Sequence, residues 1–175
     1  MRCSTVILLV LLARVASAQT VPPVLQVGEI SPAKYEVLEE RDLKAPMRDG
    51  VRLTVDVFRP RAEGRFPAIL WQTPYNKNGG ANRARKFAAR GYVVVDADSR
   101  GRFESEGEWD PFSALHKSDG YDLVEWIAKQ TWCSGNVGTY GLSYMGWQQW
   151  WTASQSPPAL KAIVPEVAPP DHFYN

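Results

Sequence analysis

The chain has 175 residues, with 20 Lys and Arg against 19 Asp and Glu, and its formal net charge of +1 leaves no electrostatic footprint for nucleic acid or an anionic membrane. Two cysteines, Cys3 and Cys133, cannot build a disulfide scaffold, and no His, Cys and Asp cluster stands at metal-ligand spacing, so no metal or other cofactor is expected. The length suits one domain.

The first segment reads as an export leader. Met1-Arg2 gives a positive start, residues 6–13 an apolar core too short to span a bilayer, and Ala16-Ser17-Ala18 a small-residue cleavage site. Arg14 departs from that pattern, and a retained amphipathic N-terminus is the alternative. A signal peptide at 1–18 predicts a secreted or periplasmic protein that starts near Gln19 and keeps no membrane anchor. Losing Arg2 and Arg14 with the leader takes the net charge from +1 to −1. Cys3 goes too, and Cys133, beside Trp132, reads as a small buried apolar residue.

Residues 19–34 are rich in Pro and Val and read as an extended arm. The fold is expected over 35–175. Asp49-Gly50 is a hairpin turn signal between 43–48 and 51–59. Val51, Leu53, Val55 and Val57 alternate with Arg52, Thr54 and Asp56, which predicts one buried face. After a loop at 60–65, residues 66–72 predict a short buried strand. Residues 82–90 have helical spacing, with Gly91 as the stop. Tyr92-Val93-Val94-Val95 has no polar side and predicts a central parallel strand. Residues 119–130 predict an amphipathic helix with Tyr121, Val124, Ile127 and Ala128 on one stripe. A strand at 136–140, a helix at 144–154 and a buried strand at 159–165 follow. Trp147, Trp150 and Trp151 share one face of that last helix, which predicts a core stripe, with packing of some of them on a further segment as the alternative. A hairpin followed by alternating helices and strands predicts an α/β sheet, antiparallel at the start and then parallel.

Gly141-Leu142-Ser143-Tyr144-Met145-Gly146 falls between a strand and a helix, and a small-x-Ser-x-Gly pattern there is a nucleophile elbow. Gly141 and Gly146 let the chain pass close to itself where a Cβ would clash. Ser143 is then pushed above the sheet with strained φ and ψ, as a candidate nucleophile that needs an imidazole to take its proton. The backbone N–H of Tyr144 is the candidate oxyanion donor, and the Tyr144 side chain a pocket wall. In the segment 98–107, Arg100 is expected to pair with Asp98 or Glu104 and tie down a loop.

Four segments carry a family resemblance: Met47-Arg48-Asp49-Gly50-Val51-Arg52-Leu53, Thr73-Pro74-Tyr75-Asn76-Lys77, Asp98-Ser99-Arg100-Gly101-Arg102-Phe103-Glu104-Ser105-Glu106-Gly107, and Trp132-Cys133-Ser134-Gly135-Asn136-Val137-Gly138 running into the elbow. In this order, over about residues 38–172, the chain resembles the cocaine-esterase-like (CocE/NonD) and X-Pro dipeptidyl-peptidase-like serine hydrolases, which include the α-amino-acid ester hydrolases. The resemblance implies a longer enzyme. The chain would be the N-terminal part of an α/β-hydrolase domain, an incomplete one lacking the later strands, the helical cap and the β jelly roll. It also implies that the Tyr75 hydroxyl is the second oxyanion donor and that the triad Asp and His lie far downstream. Asp171-His172 follow Ser143 in the required order, but adjacent side chains point apart, and His116 precedes it.

The implied function is a serine hydrolase that cleaves a small acyl ester, amide or X-Pro peptide substrate through an acyl-enzyme on Ser143. As a truncated chain without a base it is expected to be inactive. A catalytically silent α/β module kept for binding or structure is the alternative.

Overall fold

The computed structural model describes residues 30–170. The leader at 1–18, residues 19–29 of the arm, and Asp171 and His172 lie outside them. Six strands form one mixed sheet with three α-helices, in the order β1-β2-β4-β3-β5-β6. The elements are β1 (Val37–Pro46), β2 (Arg52–Pro60), β3 (Phe66–Thr73), α1 (Ala81–Ala88), β4 (Val93–Asp98), α2 (Leu115–Ala128), β5 (Cys133–Leu142), α3 (Tyr144–Ser154) and β6 (Leu160–Glu166). β1 and β2 form the expected antiparallel hairpin, with Gly50 at φ 87 in its turn. β3 runs parallel to both β4 and β5, and β5 parallel to β6. β4 is interior as expected, but it is parallel on one side only, since it pairs antiparallel with β2.

The larger core lies on the α2 face. Leu53, Val55 and Val57 of β2 and Val93, Val95 and Ala97 of β4 pack there with Leu123, Val124, Ile127, Cys133 and Val137. α2 begins at Leu115, four residues earlier than its apolar pattern predicts, and it buries His116, Asp119, Gly120 and Leu123 beside Val124 and Ile127. Tyr121 is only half-buried and lies under the Arg48 guanidinium, 5.1 Å from ring centroid to Cζ. α3 turns an unexpected side inward. Tyr144, Met145, Gln148, Gln149 and Thr152 are buried, while Trp147, Trp150 and Trp151 are half-buried on its flank.

β2 is buried on both faces, so the expected single apolar face is half the account. Successive residues alternate faces, and Thr54 and Asp56 share theirs with Phe58, against which α1 packs through Ala84 and Ala88. Asp56 stands opposite Asp96 in the β2–β4 register, and both are fully buried. Basic side chains from three other segments neutralise them. Arg41 reaches Asp56 at 2.7 Å, Lys77 reaches Asp56 at 3.1 Å and Asp42 at 2.7 Å, and Arg83 reaches Asp96 at 2.8 Å. Arg83 also lies 3.7 Å over the Trp71 ring.

Pairing does not cancel the cost of burial at Asp96. Burial pushes its carboxyl up to about 7, against the pull of Arg83, and burial also lowers the Arg83 guanidinium from its ordinary value. An acid raised from 3.8 to about 7 favours the fold when protonated. Its contribution is complete below the unfolded value and is lost as pH climbs through the folded one. Asp96→Asn should therefore flatten the fall in urea midpoint between about pH 4 and pH 8. An unchanged slope would place the titration on another group.

Candidate active site

β5 ends at Leu142 and α3 begins at Tyr144, so Ser143 alone makes the turn. It sits at φ 57, ψ −123 with its side chain exposed. A Cβ on Gly141 would lie 2.6 Å from Met145 Cβ, and one on Gly146 would lie 2.5 Å from Ala168 Cβ and 3.0 Å from Glu166 O. These contacts are the reason for the two glycines. The Ser143 N–H donates to Glu166 O at 2.8 Å, and Ser143 O accepts from Gly146 N at 2.8 Å and Trp147 N at 3.1 Å.

Gln149 braces the turn from below. Its Oε1 accepts from the Thr139 hydroxyl and from Val164 N, both at 2.9 Å. Its Nε2 donates to Gly141 O at 3.0 Å, Val164 O at 3.1 Å and Met145 O at 3.2 Å. One buried amide thus joins β5, α3 and β6. Polarity argues against burial, so the sequence pattern gave no sign of it.

Tyr75 follows β3 as Ser143 follows β5, and the two strands are parallel neighbours, so both residues stand at the same end of the sheet. Tyr75 is 62% exposed. Its segment is held by backbone rather than by its ring. Tyr75 N–H donates to Thr73 Oγ1 at 3.0 Å, Arg102 Nε to Pro74 O at 3.0 Å, and Lys77 N–H to Asp98 Oδ1 at 2.8 Å. Tyr144 starts α3, where a helix leaves its first N–H groups without internal partners. Burial pushes the Tyr144 phenol above its ordinary value, and the Tyr75 phenol adds to that.

Arg100 does tie down the 98–107 loop, but with other partners than expected. It pairs with Asp119 through Nε at 2.9 Å and NH2 at 2.5 Å, and with Asp49 at 2.8 Å. Asp98 is already taken by the Lys77 N–H, and Glu104 is exposed. His116 is 2% exposed, and its Nε2 faces Asp110 O at 2.9 Å and the Tyr144 hydroxyl at 3.2 Å. Burial holds its imidazole below the ordinary value. It is not presented as a base. Cys133 is buried, and burial raises its thiol. Among the described residues no cluster of His, Cys, Asp or Glu could hold a metal ion.

With the site in view, its likeness to known proteins is specific. A family model described as X-Pro dipeptidyl-peptidase (S15 family) matches residues 49–175. The chain is 43% identical over 138 residues to cocaine esterase from Rhodococcus sp. (strain MB1 Bresler), covering 75% of this chain and 24% of that one. A CocE/NonD family hydrolase from Staphylococcus aureus superposes with a TM-score of 0.67 at 35% identity, over 73% of this chain and 27% of that one. An α-amino acid ester hydrolase does so with a TM-score of 0.67 at 25% identity, over 86% of this chain and 29% of that one. The chain spans about a quarter of the length of the curated relatives it matches.

The Ser143 backbone lies where a side chain is strained and glycine is not. Ser143→Gly should therefore raise stability by about 1 kcal/mol, read as a higher urea midpoint at unchanged slope. A lower midpoint would mean that the serine side chain holds the turn.

Proposed function

The chain belongs to the X-Pro dipeptidyl-peptidase (S15) family, and on that premise we propose that it carries the nucleophile and oxyanion hole of a serine hydrolase acting on acyl ester or amide bonds. The observation that carries the reading is Ser143, exposed and at positive φ as the single residue between a parallel strand and a helix. No other exposed serine, among the described residues, joins a strand to a helix in this way.

Ser143 Oγ attacks the acyl carbon as an imidazole removes its proton. The carbonyl oxygen gains negative charge and is met by the Tyr144 N–H and the Tyr75 hydroxyl. The leaving group departs with the proton, and water then hydrolyses the acyl-enzyme. The imidazole comes from outside the described residues, because His116 is engaged with Asp110 and Tyr144. Residues 30–170 thus hold the acyl-accepting half of the chemistry and not its proton-transfer half. The 43% identity to an esterase supports esters over X-Pro peptides as substrates. The leader pattern at 1–18 supports action outside the cytosol.

A fluorophosphonate probe should label the full-length protein and not its Ser143→Ala variant; equal labelling would remove Ser143 from the mechanism and favour a silent module. Tyr75→Phe should slow acylation by about 10²–10³ with little change in melting temperature, since one exposed oxygen is lost. An unaltered rate would return Tyr75 to packing.

A further inference from the structure

We propose that His116 is a positioning residue for the oxyanion hole: together with the Phe112 N–H it grips the Tyr144 hydroxyl, and so fixes the residue whose backbone N–H meets the developing charge. The inference rests on the reading of Ser143 and Tyr144 given above.

Tyr144 is 6% exposed, and its hydroxyl oxygen lies 2.9 Å from Phe112 N and 3.2 Å from His116 Nε2. The tautomer follows from the third partner. Asp110 O lies 2.9 Å from Nε2 and can only accept, so Nε2 carries the proton. Nδ1 is buried without a partner, which suits a bare lone pair far better than an N–H donor. The opposite tautomer would bury an unpaired donor and set two acceptors face to face. Nε2–H therefore bridges Asp110 O and the Tyr144 oxygen, and the Phe112 N–H approaches that oxygen as a second donor.

The grip comes from two elements that do not belong to the elbow. Phe112 lies in the loop before α2, at φ 62, and His116 in the first turn of α2. That turn is fixed to the same loop by His116 N–H to Ser113 O at 3.2 Å and Leu115 N–H to Ser113 Oγ at 3.1 Å. The imidazole also stacks on Trp151 of α3, with centroids 5.9 Å apart and planes at 18°. Packing alone would need the ring of Tyr144 and the ring of His116, not the polar atoms joining them. With its far end held, Tyr144 cannot rotate as charge develops on the oxygen its N–H meets. An oxyanion donor works over a window of a few tenths of an ångström, so a small drift costs rate.

The test is p-nitrophenyl ester hydrolysis by the full-length protein and four variants, with thermal melts of each. Tyr144→Phe keeps the ring and removes the hydroxyl. His116→Phe keeps the stack and removes the N–H, whereas His116→Gln keeps an N–H near the Nε2 position and removes the ring. Each Phe variant should lower kcat about tenfold with KM within about twofold. His116→Gln should recover most of that rate, and the double Phe variant should be no slower than the slower single one. A packing role predicts the reverse order, so His116→Phe at the wild-type rate, His116→Gln as slow as His116→Phe, or additive losses would each overturn the proposal. A Ser143→Ala control that still turns over would instead overturn the serine-hydrolase reading on which it stands.

Discussion

The end of the sheet that carries Ser143 depends on one close approach. α3 leaves β5 so steeply that its first turn runs against the chain just past β6, with Gly146 beside Ala168 and Glu166. No side chain fits between, and Ser143 is left at a backbone geometry that serine avoids. The fold must supply the restoring force from elsewhere. It does so through the Ser143 N–H on Glu166 O and through Gln149, whose amide satisfies groups on three elements at once. A buried polar network of this kind rigidifies only when every member is paired.

The other side of the site is held by charge. The segment bearing Tyr75 is short and mostly loop, and the residue is 62% exposed. Lys77, two residues on, is 3% exposed and reaches Asp42 and Asp56. Its backbone donates to Asp98 at the end of β4. Buried ion pairs are weak sources of stability because both charges give up water. They are strong sources of specificity in a loop, since a buried ammonium has few places where two carboxylates await it. The Lys77 pairs thus fix the place of the loop more than they add to stability.

What could be read from the sequence was what is local. The elbow was legible because its glycines answer a steric demand set within six residues. The hairpin was legible from Asp49-Gly50, and α3 from its place after the elbow. What escaped was the fate of polar side chains. Alternation in β2 sorts Leu53 and Val55 from Thr54 and Asp56, but cannot say that Asp56 meets Arg41 and Lys77, and Thr54 the Glu104 carbonyl, rather than water. Arg100 was recognised as a tether, yet its carboxylates lie on α2 and in the hairpin turn, beyond the reach of any local pattern. The apolar stripe rule failed on α3 for a related reason. Gln149 faces inward to backbone groups of β5, α3 and β6, Gln148 faces inward to the Ser99 hydroxyl, and the tryptophans lie on the flank.

The ladder between β3 and β5 has one more implication. Leu70 is opposite Thr139, so Tyr75 and Ser143 inherit their spacing from a hydrogen-bonded register set several residues back along each strand. A slip of two residues would keep every side chain on its proper face and every apolar contact roughly in place, yet shift one partner by about 6.6 Å. Hydrophobic burial would scarcely notice such an error. The bulge between Phe66 and Ala68, together with the Phe66 N–H on Trp132 O, pins the far end of that pair of strands. The ruler for the spacing of Ser143 and Tyr75 is therefore cut at the opposite end of the sheet, where selection for geometry would look, to an assay of stability, like tolerance.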